Sequence, residues 1–114
     1  MTGRPLCRIG DIPDGEARGF SLGEGRSRVD ILAARRGGAV FLYRNACPHA
    51  GTPLDWVPDR FMSPDGIHLQ CATHGALFRV EDGYCVAGPC AGRSLTPVPA
   101  EIGSDGTVRA TLPG

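Results

Sequence analysis

The chain of 114 residues contains no lysine, and its twelve arginines are balanced by twelve acidic residues, so the formal net charge is zero. That balance argues against a protein built to hold nucleic acid or another polyanion, which would be markedly basic. Arg26, Arg28, Arg35 and Arg36 are the densest cluster of like charge, and they read more simply as charges blunting a strand edge than as a binding patch. No apolar run approaches the length of a membrane span. The opening Met1-Thr2-Gly3-Arg4-Pro5-Leu6 has neither the apolar core of a secretory signal nor a twin-arginine signal, so a soluble cytoplasmic protein is expected. No GxGxxG or P-loop pattern is present, and nucleotide binding is therefore not expected. Only three histidines occur in the whole chain, a scarcity that limits what any metal chemistry can use.

What is abundant is punctuation. Seventeen glycines and ten prolines leave little room for long helices, and short runs rich in β-branched and aromatic residues lie between them. This is the pattern of an all-β domain. Residues 28–33 and 39–44 flank Gly37-Gly38, a strong hairpin signal. Residues 76–81 and 84–87 flank Asp82-Gly83 and predict a second hairpin. Pro64-Asp65-Gly66 leads into a strand over 67–70, and Ser104-Asp105-Gly106 precedes another over 107–111. Pro97 and Pro99 demote the segment after Ser94 to edge strand or extended coil. No repeat or linker divides the chain, so one domain over 1–114 is expected.

Two short clusters carry the chemistry. Cys47-Pro48-His49 is followed, after twenty-one residues, by Cys71-Ala72-Thr73-His74. Each supplies one thiolate and one imidazole, and the resulting set of two sulfurs and two nitrogens suits zinc or an iron–sulfur cluster in which two histidines replace two cysteines on one iron. Common Cys2His2 zinc sites place both cysteines before both histidines. Here each loop carries one of each, so two similar loops can clamp a two-iron core from opposite sides. Taken singly, His49 and His74 would be ordinary loop histidines; their joint spacing from cysteine makes the ligand reading the stronger one. His68 has no partner cysteine and reads as a surface or packing residue. Trp56 fits a cluster shield and a core residue equally well. Cys7, Cys85 and Cys90 remain as small buried hydrophobes, with a Cys85–Cys90 disulfide conceivable.

Cys47-Pro48-His49-Ala50-Gly51-Thr52-Pro53-Leu54 and Cys71-Ala72-Thr73-His74-Gly75-Ala76-Leu77-Phe78 resemble the two cluster-binding loops of Rieske [2Fe–2S] proteins. Gly88-Pro89-Cys90-Ala91-Gly92-Arg93-Ser94-Leu95 resembles the proline loop covering the cluster in that family, and the resemblance runs from about Val40 to Arg109. It implies an antiparallel β-sandwich of short strands with a two-loop cluster-binding subdomain over about 45–92, and one [2Fe–2S] cluster per chain. Cys47 and Cys71 would hold one iron, and His49 and His74 the other. Two ferric ions, two sulfides and two thiolates then cancel in charge. Adding an electron to that neutral centre is easier than to an all-cysteine one, so potentials run from about −150 to +300 mV against about −400 mV. Pro48 stiffens the first loop, while Gly51 and Gly75 let the backbone turn beside the sulfides.

Departures from the high-potential members are informative. Those proteins join the loops by a disulfide, where this chain has Thr52 and Thr73. They also place hydroxyls where this chain has Ala76 and Phe78. Fewer donors stabilise the reduced state less, so the chain resembles the low-potential ferredoxins of bacterial ring-hydroxylating oxygenases. The implied function is a one-electron carrier with transient partners, a flavoprotein reductase and a terminal oxygenase or reductase, and neither nucleic acid nor membrane. The alternatives are a small cluster-bearing subunit of a larger reductase such as nitrite reductase, and a zinc-stabilised binding module. A complete oxygenase needs a further iron held by two histidines and a carboxylate. Once the cluster takes two histidines, His68 alone remains.

Overall fold

A computed structural model describes residues 3–23, 25–48, 53–55, 59–72 and 75–111. Among the described residues, ten short strands run β1 Gly3–Arg8, β2 Ala17–Leu22, β3 Val29–Arg36, β4 Ala39–Arg44, β5 His68–Gln70, β6 Leu77–Arg79, β7 Cys85–Ala87, β8 Pro97–Val98, β9 Ala100–Ile102 and β10 Thr107–Thr111. They form three antiparallel sheets, ordered β1-β10-β9, β2-β3-β4-β8 and β5-β6-β7. The described helical structure is limited to two single 3-10 turns, Ile9–Asp11 and Gly25–Ser27. No described helix is long and apolar enough to cross a membrane.

The four-stranded sheet is the middle layer, and strand alternation explains why. Ile31 and Ala33 of β3 and Val40 and Leu42 of β4 join Val98, Val108 and Ala110 in one core. Leu32, Ala34 and Tyr43, the alternate residues, join a second core with Phe61, Leu69 and Phe78. A strand whose odd and even positions are both buried must be covered on both faces. The sheet of the chain ends covers one face, and β5-β6-β7 with its loops covers the other.

The Gly37-Gly38 hairpin forms as expected, with Arg36 paired to Ala39 and Gly37 at φ +59°. Arg35 donates from Nε to the Gly37 carbonyl at 2.8 Å and from Nη1 to those of Ile9 and Ile12 at 3.3 and 3.0 Å. Arg36 donates to the Ile67 carbonyl, and Arg28 pairs with Asp30 at 3.0 Å. Three of the four clustered arginines thus serve internal contacts, and Arg35 and Arg36 lie on the interior strand β3 rather than blunting the strand edge expected from the sequence. Pro97 opens β8 and Pro99 precedes β9, both edge strands.

Two strands were not anticipated. β1 holds Gly3 and Pro5 and changes register between Pro5 and Cys7, a bulge that lets an edge strand carry proline. β2 carries Gly19 where a Cβ would meet Phe61 Cζ at 3.3 Å. In both, the residue that breaks the strand pattern fits a tertiary feature, the bulge of β1 and the packing of Phe61 on β2. The second hairpin is also tighter than expected, three residues on each side of a loop over 80–84. Gly83 turns that loop at φ +74°, and a Cβ there would lie 2.8 Å from Tyr43 Cε1.

Candidate metal centre

Loop one leaves β4 at Asn45. Its backbone N–H donates to the Asp30 carbonyl of the sheet at 2.9 Å, and its side chain pinches the loop shut. Oδ1 accepts the Leu54 N–H at 2.8 Å, and Nδ2 donates to Asp55 Oδ1 at 3.0 Å. Asp55 Oδ2 accepts the Asp59 N–H at 3.1 Å, and Asp59 Oδ1 accepts the Gly19 N–H of β2 at 2.7 Å. Asp59 itself has φ +66°, a left-handed conformation that Asp tolerates better than most side chains. Cys47, near the start of the loop, is 2% exposed.

Loop two begins where β5 ends. Cys71 N–H donates to the Ala76 carbonyl at 2.9 Å, and Gly75 N–H returns to the Cys71 carbonyl at 2.8 Å. Gly75 has φ +70°, so the expected glycine turn is present. Cys71 is 0% exposed. Ala72 N–H donates to the Leu54 carbonyl at 2.9 Å, which ties the second loop to the closing end of the first.

The third loop follows β7. Gly88 turns at φ +98° against the backbone of Ala76, Ala91 N–H donates to the Gly88 carbonyl at 3.1 Å, and Arg93 N–H to that of Cys90 at 2.9 Å. Arg93 Nη1 then reaches the Pro48 carbonyl at 3.2 Å. All three loops therefore converge. Cys47, Leu54, Cys71, Ala76, Phe78 and Cys90 belong to one buried apolar cluster.

Cys47 and Cys71 are brought together in that cluster, and His49 and His74 lie outside the described residues, as do Ala50, Gly51, Thr52, Thr73 and Trp56. His68 opens β5 and is half-buried opposite Arg79. All five cysteines are free. A Cys85–Cys90 bridge is not formed, because the two thiols diverge: Cys85 donates to the Ala87 carbonyl at 3.1 Å, and Cys90 Sγ lies 3.4 Å from Cys47 Sγ. Cys7 stands apart on β1, its thiol pKa raised by burial and by the negative charge of Asp11. Beneath the loops, Tyr43 donates its hydroxyl to the Val80 carbonyl at 2.6 Å. Burial, and then the negative charges of Asp82 and Glu81, push its pKa to about 12. Asp82 is held low, first by Arg79 and then by the Tyr84 N–H.

The chemistry of the donors fits an iron–sulfur group. Two unbridged, buried thiols on facing, mutually hydrogen-bonded loops are a soft ligand pair, and the apolar surround keeps water from the sulfurs. Sequence reasoning missed the Asn45–Asp55–Asp59 clasp and the contact of Cys90 with Cys47. Neither has a local signature, since each joins residues through folding.

Such loops on an all-antiparallel scaffold define a small β-domain that presents two buried thiols on neighbouring turns. A family model described as the Rieske [2Fe–2S] domain matches residues 3–108, and the chain belongs to that family, whose group is one [2Fe–2S] cluster per chain. The match reaches further towards the start than the resemblance read from the loops, taking in β1 and β2. No curated protein matches the chain. Among solved structures, the ferredoxin of carbazole 1,9a-dioxygenase from Nocardioides aromaticivorans IC177 is similar at 18% identity and TM-score 0.74, over 96% of this chain and 97% of that one. The Sphingomonas yanoikuyae B1 ferredoxin is similar at 25% identity and TM-score 0.72, over 98% and 100%. A complex of reduced oxygenase and oxidised ferredoxin in carbazole 1,9a-dioxygenase contains a chain similar at 21% identity and TM-score 0.73, over 95% and 91%.

Proposed function

We propose that this chain is the ferredoxin of an oxygenase system, a cytoplasmic carrier of single electrons from a flavoprotein reductase to a terminal oxygenase. Cys47 and Cys71 hold one iron of the cluster and His49 and His74 the other, within a cluster-binding part spanning about 45–92 of a single domain. When bound, the cluster supplies one-electron redox chemistry. The chain's own residues hold the loops in register through Asn45 and Ala72, exclude water through Leu54, Ala76 and Phe78, and leave the two ligand thiols unbridged.

The observation carrying this reading is the burial of Cys47 and Cys71 in one cluster on loops tied by the Ala72–Leu54 hydrogen bond. Five free cysteines support a reducing compartment. The partners are supported by likeness to ferredoxins of oxygenase systems.

Purified protein should be red-brown, with two irons and two acid-labile sulfides per chain. Cys71→Ser and His74→Ala should each lose both. A flavoprotein reductase of this class should reduce the protein, and a terminal oxygenase should reoxidise it. Stoichiometric zinc without sulfide would overturn the assignment.

A further inference from the structure

Cys90 is the buried thiol beside the centre that the ligand set does not use. It is 0% exposed, and its Sγ lies 3.4 Å from Sγ of Cys47. Among the described residues its sulfur makes no other hydrogen bond. That separation is too long for a covalent bond and close enough for a weak S–H donor to meet a sulfur acceptor. An iron-bound cysteine is a thiolate and carries no proton. If Cys47 is a ligand, the proton of the pair belongs to Cys90, and the direction of the bond is settled.

We propose that the Cys90 thiol donates a hydrogen bond to the Cys47 thiolate and thereby favours the reduced centre. The inference rests on the reading of Cys47 as a cluster ligand. Cys90 acts through Cys47 and is a positioning residue. Its place is set by the backbone: Gly88 packs on Ala76 ahead of it, and Arg93 N–H caps its carbonyl at 2.9 Å. The other thiol of this loop region does not compete, because Cys85 donates to Ala87.

The surroundings make a weak donor count. Ala76 and Phe78 are both 0% exposed and offer no hydroxyl. In an apolar cluster of low dielectric a hydrogen bond is stronger than in water. Reduction adds negative charge to the centre, so the ligand sulfur becomes a better acceptor and the bond tightens in the reduced state. The donor that the second loop does not supply is thus supplied by the third.

The test uses cluster-loaded protein, with iron and sulfide counted in each sample. Voltammetry would compare wild type, Cys90→Ala and Cys90→Ser. Cys90→Ala should lower the reduced-to-oxidised ratio at a fixed poise about threefold, or about 28 mV at 59 mV per tenfold for one electron. Cys90→Ser keeps a donor and should stay nearer wild type. A second measurement needs no substitution: the reduced-minus-oxidised infrared difference spectrum of wild type should contain an S–H stretch that moves on reduction and shifts in D2O. A fully loaded Cys90→Ala at the wild-type potential would overturn the inference. So would a wild-type spectrum without that band, which decides the matter if Cys90→Ala fails to load. Retention of an unaltered cluster by Cys47→Ser would strike the ligand reading itself, and this inference with it.

Discussion

Gly88→Ala tests whether the third loop must lie directly on the second. Gly88 has φ +98°, where an L side chain is strained by about 1–3 kcal/mol. An added Cβ would also stand 2.7 Å from Ala76 Cα, 3.1 Å from its Cβ and 3.3 Å from its N. The near atoms are backbone of the loop that follows His74, so they cannot swing aside as a flexible side chain would. Overpacking of this kind costs about 1–3 kcal/mol more. Gly92 supplies the control. It has φ +91° in the same loop, but a Cβ there meets nothing within 4 Å. Gly92→Ala should therefore lose only the conformational share, and Gly88→Ala about 2–6 kcal/mol altogether. A loss near 3 kcal/mol corresponds to a Tm lower by roughly 10–20 °C for a domain of this size. Calorimetry of the loaded proteins, with visible absorption recorded alongside, reads both stability and cluster retention. Equal losses in the two variants would show that the contact between loops is not what Gly88 provides, and the packing argument would fail.

Tyr43→Phe removes the hydroxyl bonded to the buried Val80 carbonyl at 2.6 Å and should cost about 1–3 kcal/mol by denaturant melts. Because the folded phenol is raised from 10 to about 12, the unfolded chain gives up that proton first. The stabilisation is whole below pH 10 and is lost as pH rises towards 12, by about 2–3 kcal/mol; the Phe variant should lack that slope. Asn45→Ala should unpair the Leu54 N–H and Asp55, and release iron to a chelator several-fold faster than wild type; equal rates would mean that the clasp does not hold loop one. Voltammetry should place the wild-type potential near the low end of the family range, roughly −150 mV. Ala76→Ser with Phe78→Tyr should raise it, and a wild-type value above about +200 mV would refute the donor-poor reading.

The legible parts of this fold are those where local chemistry and tertiary demand agree. Gly37-Gly38 is both the local turn signal and the observed two-residue link. Pro97 and Pro99 forbid interior ladder positions and do occupy edges. β1 and β2 were hidden because Pro5 and Gly19 answer to a bulge and to Phe61, not to their own strands. Cys47 and Cys71, the cysteines proposed as ligands, stood out by their spacing to histidine. Cys90 did not, because only folding brings residues 47 and 90 together, and in sequence it looks like any small buried hydrophobe.

The way the loops are joined bears on how the centre is tuned. With Thr52 and Thr73 in place of cysteines, nothing covalent links the first loop to the second. The ties are a backbone hydrogen bond from Ala72 to Leu54, the reach of Arg93 to Pro48, and the Cys47–Cys90 contact. Two of these three run to the third loop. That loop thus takes part of the bridging role and brings the thiol that faces Cys47. A disulfide fixes geometry but offers no proton, whereas a thiol held by backbone contacts offers a donor whose strength follows the charge on the acceptor. On the proposed ligand set, a packed third loop in place of the bridge would couple loop closure to redox state: an electron that makes Cys47 a better acceptor would also tighten the contact holding the loops together. Reduced protein should accordingly release its cluster to a chelator more slowly than oxidised protein, and the difference should shrink in Cys90→Ala. Equal shrinkage in Cys85→Ala, whose thiol faces Ala87, would show that the effect is one of packing and not of the donor.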